Sequence, residues 1–321
     1  MASLRIEISD NLNEWSNFIL SSPQSNPFLS INWLKPYAEI FNLNFEVTFV
    51  RKGYETIAGI ILPVKKKFLL HVLTPLPFTY YNGITFKNFQ SEKRQKEILE
   101  KNESILMLHK HIIKKIDFFV FKLHHTIYDI RQFKWLGYKV KPRYTFVLNL
   151  NPIDLVWERM SNSLKRKIKE AQEVGFRVLK SKSADVLAEQ QILSYERTGG
   201  KFFLGFDKLK NLLNELVNSG ILEVYYLIDS RGEILASRGI SIWGEKGYDI
   251  VAGMRERESD VASHFLVWKI LEDLSTRGIT EFDFCGADIE KVAFFKMQFG
   301  GELKLSFEVS FAKGILKFFQ R

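Results

Sequence analysis

The chain of 321 residues contains a single cysteine, Cys285. One thiol excludes an intramolecular disulfide and a cysteine-based zinc site. It reads as a small buried hydrophobe in a reducing compartment, so the chain is expected to be cytoplasmic. No apolar run reaches the roughly 18 residues that a membrane span needs. The N-terminus, Met1-Ala2-Ser3-Leu4-Arg5-Ile6, has no signal-peptide pattern. Only six histidines are present, and their spacing brings no metal-ligand set together. His109 and His111 fall on different sides of a predicted helix, and His124-His125 sits near a predicted strand end. No metal is expected. No Ser-His-Asp order points to a hydrolase.

What is abundant is apolar and aromatic. Hydrophobic residues make up 46% of the chain and there are 28 phenylalanines. That is enough for a large sheet-rich core, and the length suggests about two domains. The formal charge of +9 suits an anionic partner: a phosphate-bearing donor, a nucleotide-activated substrate, tRNA or the inner membrane surface. It serves solubility equally well. DNA is not an expected partner.

Patterning predicts an alternation of helices and strands. Residues 10–42 read as two helices, broken at Ser21 to Pro27 and restarted with Ser30 as cap. Residues 45–64 read as a hairpin turning at Lys52-Gly53, and a strand is expected from Phe68 to Leu73. A Pro- and Tyr-rich loop containing Tyr80 and Tyr81 follows, then a helix over 91–115 and a strand over 117–121. A short helix stops at Gly137, and a strand covers 144–150. In the second half, helices are expected from Pro152 (capped by Asn151) and over 163–174, stopped by Gly175. A strand at 176–179 and helices over 185–198 and 207–218 precede a hairpin turning at Gly232. A strand at 248–252, a helix over 262–275 and a buried strand, Glu281 to Gly286, lead to a short helix ending at Gly300-Gly301.

The two halves share an order: a hairpin turning at Gly, a helix, an Asp-Phe strand (Asp117-Phe118, Asp283-Phe284), a Phe-Lys pair (Phe133-Lys134, Phe295-Lys296), a glycine and a last strand. This predicts a mixed α/β protein of two tandem domains, each a central mixed sheet flanked by helices, over 1–142 and 143–303.

The most informative stretch is Glu281-Phe282-Asp283-Phe284-Cys285-Gly286, followed by Phe294-Phe295-Lys296-Met297-Gln298-Phe299-Gly300. It resembles the C-terminal signature of the Fem-type branch of the GNAT acyltransferase superfamily. Supporting pieces are Asn26-Pro27-Phe28-Leu29-Ser30-Ile31-Asn32-Trp33, Leu136-Gly137-Tyr138 to Leu148, and Arg166-Lys167-Ile168-Lys169-Glu170-Ala171 before Gly175. The resemblance covers nearly the whole chain. It implies two GNAT-like domains, with the 304–321 tail returning to the first. It also implies transfer of an acyl or aminoacyl group to an amine, often on a cell-envelope sugar or peptide precursor. The donor would be acyl-CoA or aminoacyl-tRNA, with no permanently bound cofactor.

Such transfer needs donors for a tetrahedral oxyanion, an acceptor for the amine's proton, and cations for the donor's phosphates. By resemblance Lys296 faces the donor or the developing charge; on spacing alone it lies at a cleft edge with its stem packed and its ammonium free. Asp283 is a base, an amine-orienting group or a structural ion-pair partner, and Asp288 is an amine ligand or a loop acid. Arg166 and Lys169 share a helix face opposite Leu164 and Ile168, and bind phosphate or form a solvated face. Arg255 holds the position of the usual CoA-binding turn, but Met254-Arg255-Glu256-Arg257-Glu258-Ser259-Asp260 lacks the glycines that let backbone N–H groups cradle a pyrophosphate. Arg197, Lys201, Tyr81 and Lys35 are candidate acceptor ligands. A rival expectation is a degenerate, non-catalytic GNAT pair that binds nucleotide-sugar or RNA through its basic surface.

Overall fold

The computed structural model describes residues 3–65, 71–90, 93–197, 202–255 and 260–319. The chain divides into two compact units, residues 1–143 with 305–321 and residues 144–304.

Unit 1 begins with a strand that the pattern did not announce, β1 (Leu4–Ser9). It is short and half-buried, so its alternation is weak. Its place is fixed by antiparallel pairing, Leu4 opposite Lys52 and Ser9 opposite Val47. Helix α1 (Leu12–Leu20) is capped by the Asn11 side chain, which accepts from two backbone N–H groups. A 3₁₀ turn at Pro27–Leu29 leads to α2 (Ile31–Phe41), where the Ser30 hydroxyl accepts from Trp33 N. The hairpin β2 (Leu43–Lys52) and β3 (Glu55–Lys65) pairs antiparallel around Gly53. Two short strands follow, β4 (Val72–Leu73) and β5 (Thr85–Phe86). Residues 68–70 of the strand expected over 68–73 lie outside the described residues. One sheet of unit 1 is ordered β1-β2-β3-β5.

Helix α3 (Arg94–Ile112) then covers the unit's core. Beyond it, β6 (Phe118–Lys122) pairs parallel with β4, and α4 (Arg131–Trp135) ends at Gly137. The last described strand, β13 (Glu302–Ala312), pairs antiparallel with β6, Val309 opposite Phe121. Its Val309 is fully buried among Phe119, Phe121, Phe133 and Tyr138.

Unit 2 is entered along β7 (Lys139–Asn149). Helix α5 (Ile153–Arg159) has Pro152 at its cap position with no side-chain cap bond; the Asn151 N–H instead donates to the Asn149 side chain. This corrects the expected Asn151 cap. Helix α6 (Asn162–Glu173) is capped by Ser161 and stops before Gly175, whose φ is +80°. The remaining elements are β8 (Arg177–Ser181), α7 (Asp185–Glu196), α8 (Phe206–Asn218), β9 (Glu223–Ile228), β10 (Ile234–Trp243), β11 (Lys246–Met254), α9 (Asp260–Thr276), β12 (Glu281–Asp283), α10 (Glu290–Met297) and β13 (Glu302–Ala312).

The strand order in unit 2 is β7-β12-β11-β10-β9-β8. Every pair is antiparallel except β11 with β12. A parallel pair needs a crossover, and α9 supplies it. The core packs α5, α6 and α9 through Val156, Leu164, Ile168, Phe265 and Leu271 against inward residues of the sheet. Helix α10 is locked at its end. Gly300 has φ +75°, and a Cβ there would lie 2.6 Å from the Arg159 carbonyl oxygen. The Ser161 N–H donates to the Gln298 carbonyl at 2.9 Å.

Candidate active site

The site is built where β12 runs out. Asp283 faces Tyr248 on parallel β11 and Val147 on antiparallel β7. The chain then turns sharply: Cys285 has φ +54° and Gly286 has φ +101°. A non-glycine residue in the left-handed region costs energy and persists only where its surroundings fix it. Here they do. Asp283 Oδ1 accepts from the Cys285 N–H at 2.7 Å and from the Thr145 hydroxyl at 2.6 Å. The Gly286 N–H donates to Thr145 Oγ1 at 3.1 Å. Downstream, Ala287 N donates to the Tyr144 carbonyl and Tyr144 N to Asp288 Oδ1.

The turn aims two carbonyls at one amine. Lys296, on α10, donates from Nζ to the Phe284 carbonyl at 2.6 Å and to the Gly286 carbonyl at 2.5 Å. Lys296 is only 8% exposed. Its ammonium is therefore not free at a cleft edge as the helix spacing suggests: the left-handed turn presents carbonyl oxygens that bind it. Burial holds Lys296 below the usual lysine range, and the Asp249 carboxylate opposes that shift. An ammonium has three donors, and these two carbonyls use two of them.

Sequence reasoning missed two charged residues beside this amine. Arg238 on β10 and Asp249 on β11 form a buried ion pair, their side chains 6% and 4% exposed. Arg238 Nη2 also reaches Ser263 Oγ on α9 at 3.3 Å, and its guanidinium lies 5.1 Å from the Phe295 ring centroid. The ring of His264 on α9 packs against Phe295 at 4.4 Å. A signal was available: the middle of each strand of this hairpin carries one charge, Arg238 and Asp249, of opposite sign.

The other candidates fall in three places. Arg197, at the end of α7, donates to the Met254 carbonyl at 2.8 Å and to Ser194 Oγ at 3.0 Å. It is thereby brought beside Arg255, which is exposed and pairs with Glu233 at 3.2 Å. Lys201 lies outside the described residues. Arg166 and Lys169 are exposed on α6, with Arg166 near Glu170 at 3.7 Å. In unit 1, Lys35 is exposed on α2. Tyr81 is 4% exposed and packs against Phe28 and His124. Lys134, the unit 1 counterpart of Lys296, is exposed. Among the described residues no helix is long and apolar enough to cross a membrane.

Residues 158–296 match the family model of the acetyltransferase (GNAT) domain. A sequence search of curated proteins finds no match. Several solved structures share the fold. FemX aligns over 98% of this chain and 100% of its own, with a TM-score of 0.68 and 14% identity. The tandem GNAT protein of the clavulanic acid biosynthesis pathway aligns over 97% and 99%, with a TM-score of 0.59 and 8% identity. L-PGS from Bacillus licheniformis aligns over 96% and 94%, with a TM-score of 0.57 and 12% identity. The chain thus shares the tandem GNAT fold of these structures, and the stretch that matches the GNAT domain model, residues 158–296, lies within unit 2.

Proposed function

We propose that the chain is an N-acyltransferase. It moves an acyl or aminoacyl group from acyl-CoA or aminoacyl-tRNA to an amine on a cell-envelope sugar or peptide precursor. The amine nitrogen attacks the donor's carbonyl carbon and an oxyanion forms. When the carbonyl re-forms, the thiolate or ribose oxygen leaves, and the amine's proton passes to solvent or to the leaving group. The observation that carries this reading is Lys296, buried at the end of β12, with two N–H groups bound by the Phe284 and Gly286 carbonyls. The third is left for the oxyanion. A pre-oriented cation of this kind stabilises charge that appears only in the transition state. Asp283 serves as a positioning residue, since its carboxylate holds the turn that orients Lys296.

Arg255 and Arg197, bridged by Met254, suit the donor's phosphates at the end of β11, in place of a glycine-rich backbone cradle. Arg166 and Lys169 add positive charge on α6. Lys35, Tyr81 and Lys201 remain acceptor candidates. The reaction is placed in the cytoplasm, with peripheral contact to the inner membrane surface.

The test is thermal-shift screening with acyl-CoAs, aminoacyl-tRNAs and nucleotide-sugars, followed by turnover of whichever pair binds. A ligand at about 100 times its Kd adds roughly 2.7 kcal/mol of stability. Stabilisation by a donor, with product formed on adding an amine acceptor, is the expected result. Stabilisation by RNA or nucleotide-sugar, with no donor yielding turnover, would instead fit a binding module.

A further inference from the structure

We propose that Asp249, gripped by Arg238, is a positioning residue for Lys296: its carboxylate keeps the buried amine in the ammonium form that can donate three hydrogen bonds. The inference rests on the reading of Lys296 as the oxyanion donor.

The geometry starts with a β-bulge. Gly239 faces Val251 while Ile240 faces Asp249, so Ile250 is an extra residue on β11. A bulge re-aims the side chains around it. Gly247 through Val251 are all buried, whereas a strand with one wet face would alternate. Tyr248 is level with Asp283 on the neighbouring parallel strand, so Asp249 follows at the level where the Lys296-binding turn begins. The Cys285 thiol sits against the Asp249 backbone N–H.

The ion pair is also incompletely closed. One carboxylate oxygen, Oδ2, meets Arg238 Nη1. Asp249 Oδ1 and Arg238 Nε are buried with no hydrogen-bond partner among the described residues. A pair serving stability alone is expected to close as a two-bond fork, because open buried valences are costly. This pair instead spans the elements around Lys296: β10, β11, α9 through Ser263, and α10 through the Phe295 ring.

Among the described residues, charged or titratable groups face the amine from four elements. Asp283 and Cys285 face it from the β12 turn, Asp249 from β11 and Arg238 from β10; His264 on α9 packs on Phe295 one residue away. Asp283 is bound to Thr145 and the Cys285 N–H. Burial pushes the Cys285 thiol well up, so it is neutral. Asp249 is the main opposing charge.

The test follows the Lys296 amine directly, so it needs no substrate. The full chain is labelled with ¹³Cε-lysine and titrated by NMR, with the Lys296 resonance identified by its absence in Lys296→Met and Lys134 as an exposed control. Asp249→Asn should lower the Lys296 midpoint by about one pH unit or more, a tenfold change in its protonation ratio, and Asp249→Glu should restore it. Arg238→Met should raise the midpoint, because it removes a competing cation. A role in packing alone predicts no movement, or movement of both variants in the same direction. Either result overturns the proposal, and Arg238→Met decides the matter if Asp249→Asn fails to fold. Retention of turnover by Lys296→Ala would refute the oxyanion-donor reading while leaving the titration result standing.

Discussion

Each unit has a Phe-Lys pair in the short helix before its glycine stop, Phe133-Lys134 and Phe295-Lys296, with opposite burial. In unit 1 Phe133 is 3% exposed and Lys134 is exposed; in unit 2 Phe295 is half-buried and Lys296 is 8% exposed. The difference lies in what surrounds each lysine. Lys296 has two carbonyls turned toward it and a buried carboxylate nearby. Its removal should lower turnover about 10²-fold or more, by analogy with loss of one oxyanion donor. Lys134→Ala should leave turnover nearly intact. Steady-state rates of the two variants, side by side, check this. Equal effects would make Phe-Lys a packing motif of the repeated fold.

His109 offers a second test at this scale. It is buried on α3, with Nδ1 3.1 Å from the Tyr138 hydroxyl and its ring against Phe311. Burial, with repulsion from Lys110, holds it below the usual histidine range. A group depressed on folding contributes stability above its unfolded pKa of about 6.5 and loses it as pH falls toward the folded value. Unit 1 should therefore lose stability below about pH 6.5, with a slope of at most about 1.4 kcal/mol per pH unit from this residue. Denaturant melts of the protein and of His109→Gln should converge as the pH is lowered. Curves that stay parallel would show that His109 titrates alike in both states.

At the scale of elements, glycine positions separate lock from spacer. Gly137 and Gly300 end the matching helices α4 and α10, with φ of +82° and +75°. A Cβ at Gly137 meets nothing within 4 Å, but one at Gly300 strikes the Arg159 backbone at 2.6 Å. Gly137→Ala should cost only the left-handed penalty of about 1–2 kcal/mol, and Gly300→Ala distinctly more, because backbone has to move. Urea melts would rank the two, and equal costs would mean that α10 is not held against α5 as described.

Legibility from sequence follows the same physics. The hairpins at Gly53 and Gly232 show as β-branched and aromatic runs on either side of a turn glycine, and the helices with apolar stripes show by their spacing. Strand β1 and two-residue β5 did not, because pairing partners rather than their own pattern define them. Lys296 was visible through a motif, but the carbonyls that bind it arise from a turn with a left-handed Cys285, which no propensity predicts. Arg238 and Asp249 went unread because a charge in a strand is ordinarily taken to face water. The bulge at Ile250, which lets a buried charge meet its partner, is a register feature that no single strand encodes.

At the scale of the whole molecule, the two units use their last strands in a crossed manner. Strand β7 follows α4 of unit 1, yet its residues 147–149 pair with β12 in unit 2. Strand β13 follows α10 in unit 2, yet its residues 308–312 pair with β6 in unit 1. Unit 1 therefore cannot complete its core until the end of the chain is present. Val309 is fully buried there, and Phe311 packs against Phe119, Tyr138 and His109. A charge at Val309 would be buried without a partner among these residues, at a cost of several kcal/mol. Val309→Asp should thus strip hydrogen-exchange protection from 94–122 in unit 1. Protection of 223–254 in unit 2 should be kept, since the β9–β11 strands draw their partners from within that unit. Trp15 and Trp33 report on unit 1, and Trp157 and Trp268 on unit 2, so tryptophan-specific melts provide an independent reading. Equal loss of protection in both segments would mean that the crossed strands make the two units one cooperative body. In that case, damage to β13 should also disturb the Lys296 titration.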